Sequence, residues 1–274
     1  MGGNNMRKLI FLGTGNAMVT KVFNTCFLIE TSDGELFLTD AGGGNGILRQ
    51  LELAGANYNK LHHMYITHAH TDHIMGAVWV IRKIASLMNS SKYDGEFHVY
   101  CHDEVKDILL SMCEMMLKRK DFEHIGDDII IHEIWDGQVI ELPNFDINVF
   151  DIYSTKAKQF GYQLQFKEDN LMMTCLGDEP FSEGCEEYAK GSDWMLSEAF
   201  CKYEDREIFK PYEKHHSTCK EAAELAKTLE VKNLILYHTE DKTIDTRKAA
   251  YTAEAKQYFD GNVFVPDDLE VIEF

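Results

Sequence analysis

Apolar residues along this chain fall in short runs separated by turn-forming residues. The runs at 7–13 (RKLIFLG), 25–30 (TCFLIE) and 35–40 (ELFLTD), bounded by Gly, Asn and Asp, predict three early strands. A helix follows over 46–55 (GILRQLELAG), with Gly55 as its terminator. The stretch 63–67 (HMYIT) predicts a strand and 74–90 (IMGAVWVIRKIASLMNS) a helix. Strands are predicted at 97–101, 129–133 and 145–150, with a helix over 103–119 between the first two. Further strands are predicted at 161–166, 171–177, 193–200 and 233–238, and closing helices over 218–230 and 245–259. The first closing helix opens with Thr218-x-x-Glu221, a capping-box pattern. Strands flanked by helices predict an α/β sandwich in which helices cover sheets. With four prolines and no repeat or break in composition, one domain spanning 1–274 is expected.

Composition narrows the class. The chain is 45% apolar and 11% aromatic, ordinary for a globular protein, and its apolar runs fall short of the roughly 20 residues that span a bilayer. The first residues lead directly into a strand pattern, without the apolar segment and cleavage site of a signal peptide. Seven cysteines, an odd number with no CxxC pair, argue against a disulfide framework and for reduced core residues, so a cytoplasmic location is expected. Against 27 basic residues stand 46 acidic ones, a formal charge of −19 that repels polyanions and anionic membranes. A bound divalent ion reverses such a field locally, so a small anionic substrate remains compatible with it.

The chemistry concentrates at Thr67–His73, THAHTDH. In extended backbone, residues two apart project to one side, so His68 and His70 can face one ion, while Asp72 and His73, where the chain turns toward a helix, can aim at a second point nearby. The alternative is a surface loop that is merely rich in histidine. Later strand ends add Asp178 in LMMTCLGDEP and His238 in NLILYHTED. Either alone reads equally as a turn aspartate or a strand-end histidine. Together with the cluster they make a set of N and O donors suited to zinc or a similar ion.

His68-Ala-His70-Thr-Asp72-His73, Asp178 and His238 resemble the metal-ligand pattern of metallo-β-lactamase-fold hydrolases. FLGTGNA (11–17), DAGGGNGILRQL (40–51) and HSTCKEAAELA (216–226) are similar to ribonuclease Z and its phosphodiesterase relatives, in order from about residue 8 to 240. The resemblance implies a four-layer αβ/βα sandwich. It also implies His68 and His70 on a first metal, Asp72, His73 and His238 on a second, and Asp178 bridging both. One or two Zn²⁺ are implied, with Mn²⁺ or Fe as alternatives. The family's further histidine for the first metal falls on Tyr153, and no histidine occurs between His132 and His215. Tyr153 can be a packing residue beside a single-metal site, a phenolate ligand, or a bystander whose place Asp151 or water fills. His216 matches a histidine that contacts the scissile phosphate or protonates the leaving oxygen, and Glu198 matches the acid that orients it. Asp40 is expected to fix the loop carrying the histidines.

These expectations describe a metal-dependent hydrolase of a small, anionic phosphodiester, such as a cyclic nucleotide, with Asp72, His216 and Glu198 catalytic. Ribonuclease Z carries a long basic arm between the third histidine and the bridging aspartate, and only 154–177 lie there in this chain, so structured tRNA is not the expected partner. Lactone, thioester or sulfate-ester hydrolysis, or a non-catalytic nucleotide- or protein-binding role, are the alternatives. No membrane partner is expected, and a homodimer is suggested by resemblance alone.

Overall fold

The structure, a computed structural model, describes residues 6–274. In chain order the first elements are β1 (Lys8–Gly13), β2 (Cys26–Glu30), β3 (Leu36–Thr39), α1 (Gly46–Leu53), β4 (Leu61–Tyr65), α2 (Thr71–Met88) and β5 (Phe97–Cys101). Then come α3 (Asp103–Met116), α4 (Arg119–Phe122), β6 (Ile129–Glu133), β7 (Val139–Glu141), β8 (Phe145–Asp151), β9 (Phe160–Phe166) and β10 (Met172–Cys175). The last are α5 (Glu186–Ala189), β11 (Trp194–Glu198), α6 (Arg206–Phe209), α7 (Cys219–Thr228), β12 (Asn233–Tyr237), α8 (Ile244–Ala255), β13 (Asn262–Phe264) and β14 (Val271–Glu273).

Contacts divide the chain into two compact units, each with its own sheet. Of the described residues, the first comprises 6–17, 22–134 and 268–274 and the second 18–21 and 135–267. In the first unit the strand order is β14-β1-β2-β3-β4-β5-β6. Pairing is antiparallel from β14 to β3 and parallel from β3 to β6. The second unit repeats the plan with the order β13-β12-β11-β10-β9-β8-β7. Its strands are parallel from β13 to β10 and antiparallel from β10 to β7. Helical crossovers are what parallel strands require, and in both units the helices cluster in the parallel half.

Each unit has a core between sheet and helices. In the first, Leu12, Leu28, Leu38, Met64, Val99 and Ile129 from the strands meet Leu51 of α1, Ile74, Ile81 and Ile84 of α2, and Leu109 of α3. Ile74, Ile81 and Ile84 recur at helical spacing, and burying each contributes about 1.5–3 kcal/mol. In the second, Met195, Leu234 and Leu236 meet Ala222, Ala223 and Ala226 of α7 and Tyr251 and Ala255 of α8. The alanines bring α7 close to its sheet, and the Thr218–Glu221 capping box expected from the sequence is formed. All seven cysteines are buried thiols, in line with the sequence.

The sequence-based elements match closely, with one displacement that matters. Helix α2 begins at Thr71, so Asp72 and His73 occupy its first turn instead of a loop before it. His70 is extended as the N-cap, and Asp72 complements the positive end of the helix dipole. The helix is drawn tightly onto the turn after β3: Gly76 N–H donates to Gly42 O at 2.8 Å and Ala41 N–H to His73 O at 3.0 Å. A Cβ on Gly76 would stand 1.8 Å from the Ala41 carbonyl oxygen. Gly76→Ala is therefore expected to destabilise the protein by about 3 kcal/mol in urea denaturation. A variant within 0.5 kcal/mol of the parent, on the scale of an ordinary surface change, would show that this contact is not a tight one.

Candidate functional site

The polar residues at the strand ends form one group in each unit. In the first unit the group is organised by Asp40, buried just past β3 in left-handed conformation (φ 53). Its Oδ1 accepts the Thr67 N–H at 2.9 Å, and its Oδ2 accepts the Thr67 hydroxyl at 2.9 Å and His73 Nδ1 at 2.7 Å. With its hydroxyl hydrogen committed to Asp40, Thr67 Oγ1 accepts from His68 Nδ1, 2.9 Å away. Both imidazoles are thereby set to the tautomer that leaves Nε2 as a lone-pair donor, the arrangement that orients metal-ligating histidines. His68 Nε2 lies 2.8 Å from His70 Nδ1, and His73 Nε2 lies 3.4 Å from Asp72 Oδ2. His68, Asp72 and His73 are buried, and His70 is half-buried. Neutral imidazole nitrogens and a carboxylate packed this closely are a donor set that fits a divalent ion such as zinc.

The second group lies in the second unit. Asp178 follows β10, its Oδ1 accepting Gln159 Nε2 at 2.7 Å and its Oδ2 lying 3.4 Å from His238 Nε2. His238 directly follows β12 in left-handed backbone (φ 57), a conformation uncommon for residues other than glycine and frequent at functional positions. The His216 ring stacks on Phe200 (centroids 4.9 Å apart) and approaches His238 at 5.2 Å. Its Nδ1 stands 3.7 Å from Glu198 Oε2, within ion-pair range, so the pairing expected from the sequence is present. Burial raises the Glu198 carboxyl to about 8, and burial together with His238 lowers His216 to about 3. Both shifts favour uncharged forms: a carboxylic acid near a neutral imidazole, with Glu198 Oε2 and His216 Nδ1 facing each other beyond hydrogen-bond distance. A pocket of about 350 Å³ opens beside His216, lined by Phe181, Tyr212 and Leu225 among others.

Tyr153 stands at the surface of the second unit. It is 55% exposed, its ring lies over Gly184, where a Cβ would meet Cε2 at 2.3 Å, and its N–H donates to Asp151 Oδ1 at 2.7 Å. The carboxylate of Asp136, with Asp151 and Glu187, pushes its phenol pKa upward, opposite to what phenolate ligation requires. Asp151, the other residue considered for the missing histidine's place, has Oδ1 engaged by that N–H. Thr67 and Gln159 were not singled out in the sequence, although both hold candidate ligands. Thr67 sits inside the histidine motif and Gln159 immediately before β9, but Thr and Gln side chains carry no motif signal of their own.

The family model described as anti-Pycsar protein Apyc1 matches residues 7–259, almost the full chain. The chain belongs to that family. Among curated proteins, this Apyc1-family chain is similar to ribonuclease Z of Methanothermobacter thermautotrophicus, at 26% identity over 98% of this chain and 97% of that protein. Ribonuclease Z of Thermococcus sibiricus is also 26% identical, over 97% and 96% respectively. Among solved structures, human tRNase Z, short form, aligns with TM-score 0.76 at 20% identity, covering 97% of this chain and 98% of that one. The metallo-β-lactamase fold protein YhfI from Bacillus subtilis aligns with TM-score 0.74 at 16% identity, covering 98% and 100%. A diphosphatase from the PhnP family aligns with TM-score 0.73 at 17% identity, covering 98% of each chain. The metallo-β-lactamase fold and the ribonuclease Z-like branch expected from the sequence are thus shown, and with them a hydrolase whose His and Asp groups could hold metal. Among the described residues no helix is long and apolar enough to cross a membrane.

Two outcomes follow for the Apyc1-family chain. Asp40→Ala leaves Thr67 N–H, Thr67 O–H and His73 Nδ1–H without their acceptor; at about 1–3 kcal/mol for each unsatisfied buried group, a loss of at least about 3 kcal/mol is expected in urea denaturation. A loss under 1 kcal/mol would mean that Asp40 does not organise the motif. The second concerns Glu198, whose folded pKa is raised above the ordinary carboxylate value of 4.5 to about 8. The folded state keeps a proton that the unfolded chain releases, so this contribution is full below about pH 4.5 and is lost as pH rises through 8. Glu198→Gln removes that dependence. The stability of the variant relative to the parent should therefore climb between pH 5 and 8, and a flat difference would show that Glu198 titrates normally.

Proposed function

We propose that the two groups act together as a metal-dependent phosphodiesterase centre. His68 and His70 with Asp178 form one ligand set, Asp72 and His73 with His238 form the other, and Asp178 serves both. Zinc is the proposed metal, with manganese or iron as alternatives. The observation that carries this reading is the buried Glu198–His216 pair beside the strand-end ligands of the second unit. Simple metal storage has no use for such a pair, whereas cleavage of an ester with a poor leaving group does.

A divalent ion in these sets supplies Lewis acidity and brings the pKa of water from about 16 toward 7. The chain's own residues do the rest. Asp72 orients the attacking water and accepts its proton. His216 donates a proton to the departing oxygen, and Glu198, protonated at rest, passes its proton to His216 as negative charge develops on the substrate. The pocket lined by Phe181, Tyr212 and Leu225 has room for an apolar part of the leaving group.

A small phosphodiester, a cyclic nucleotide among them, is the proposed substrate class. The chain's −19 charge and short 154–177 segment support this over structured RNA. The test is a panel comprising bis-p-nitrophenyl phosphate, cyclic mononucleotides, a tRNA precursor, a lactone and a thioester, offered to zinc-, manganese- and iron-loaded protein. Turnover of the small phosphodiesters is expected, with losses of at least 10³-fold in kcat for Asp72→Ala and His73→Ala, the scale seen when a principal catalytic group is removed. Preferential cleavage of the tRNA precursor, or full activity in both variants, would overturn the reading.

A further inference from the structure

Three loops of the second unit converge at Lys156. Its ammonium donates to the Lys214 carbonyl at 2.8 Å and stands 3.8 Å from Glu179 Oε1. Glu179 is buried and gathers the same loop: Ser154 Oγ donates to its Oε1 at 2.6 Å and the Thr155 N–H to its Oε2 at 3.3 Å. Thr155 Oγ1 meets His215 Nδ1 at 2.8 Å. The His216 ring, one residue on, lies against the Asp178 backbone carbonyl. Residues 154–156, 178–179 and 214–216 are therefore stitched together around one ammonium, and its charge is felt at both His216 and Glu198.

The neighbouring cation is turned elsewhere. Lys214 Nζ donates to the Phe209 carbonyl at 2.8 Å and lies over the Phe200 ring at 4.5 Å. Lys156 has three N–H donors; the Lys214 carbonyl takes one, Glu179 attracts a second, and the third remains for a ligand. In a chain of net charge −19, an anionic substrate needs a fixed local cation, and the anchored, one-quarter-exposed Lys156 side chain provides one.

We propose that Lys156 is an oxyanion-binding residue that takes a non-bridging oxygen of the substrate's phosphodiester group beside His216. The proposal rests on the phosphodiesterase reading above and adds to it the group that selects an anionic substrate over a neutral one. Lys156 forms no covalent bond and transfers no proton. It acts by binding the phosphoryl charge in ground and transition states alike, so its effect falls on KM more than on kcat.

The test compares Lys156→Met, Lys156→Arg and Glu179→Gln with the parent. Readouts are steady-state kinetics on bis-p-nitrophenyl phosphate, calorimetric binding of inorganic phosphate, and thermal melting. Lys156→Met should raise KM and weaken phosphate binding at least tenfold with kcat changed less than threefold, and Lys156→Arg should recover most of both. Glu179→Gln, which loosens the loops but keeps the ammonium, should lower the melting temperature more than it weakens phosphate binding. Unchanged KM and phosphate affinity in Lys156→Met would overturn the proposal. So would losses in Lys156→Met that merely parallel those of Glu179→Gln, since Lys156 would then be only a loop staple. If the parent protein cleaves no phosphodiester, the functional reading fails separately, and phosphate binding still decides whether Lys156 holds an oxyanion.

Discussion

The carboxylate of Asp40 is the constraint on which the histidine motif depends. One buried side chain accepts hydrogens from Thr67 N–H, Thr67 O–H and His73 Nδ1, and through the Thr67 hydroxyl it fixes His68 as well. Hydrogen bonds to a carboxylate are charge-assisted, and each one removes a way for an imidazole to turn. The left-handed backbone at Asp40 gives the short turn that allows this, and Gly76 lets α2 approach closely enough to complete it. Tautomer, ring orientation and helix start are thus settled by one residue that touches no ligand itself.

The second unit solves a parallel problem differently. There the polar residues stand at the ends of parallel strands, where an open α/β sheet customarily places its chemistry. Gln159 holds Asp178, Phe200 stacks on His216, and the left-handed turn at His238 redirects that side chain off its strand. Burial then does the electrostatic work. By disfavouring charge on both Glu198 and His216, it leaves a carboxylic acid and a neutral imidazole 3.7 Å apart, a pair that a nearby anion can polarise. That behaviour suits a group required to protonate a leaving oxygen at neutral pH.

Much of this could be read from the sequence, because the signals were local. Short apolar runs bounded by turn residues mark the long strands, and the capping box at Thr218 marks α7. The His-x-His-x-Asp-His motif is legible by its density, and Asp178 and His238 by their places at the ends of later apolar strands. What stayed hidden was either short or non-local. The three-residue strands β7, β13 and β14 carry no legible alternation, and β14 pairs with β1 from the far end of the chain. The start of α2 at Thr71 was missed because Thr-Asp-His has no apolar spacing to reveal a helix. Gln159 and Lys156 take their meaning from partners 19 and 58 residues away, which only folding brings near. Tyr153 was marked as a departure from the family pattern, but its packing over Gly184 and its raised phenol pKa required coordinates.

The central claim is that the histidine and aspartate groups are a metal site on which hydrolysis depends. Its most direct measurement is turnover of bis-p-nitrophenyl phosphate as a function of bound metal, following chelator treatment and stepwise return of zinc, with metal content determined on the same samples. Activity should vanish with the metal and return in proportion to the equivalents restored. Turnover that persists in metal-free protein, or full metal occupancy with no turnover of any phosphodiester, would contradict the account.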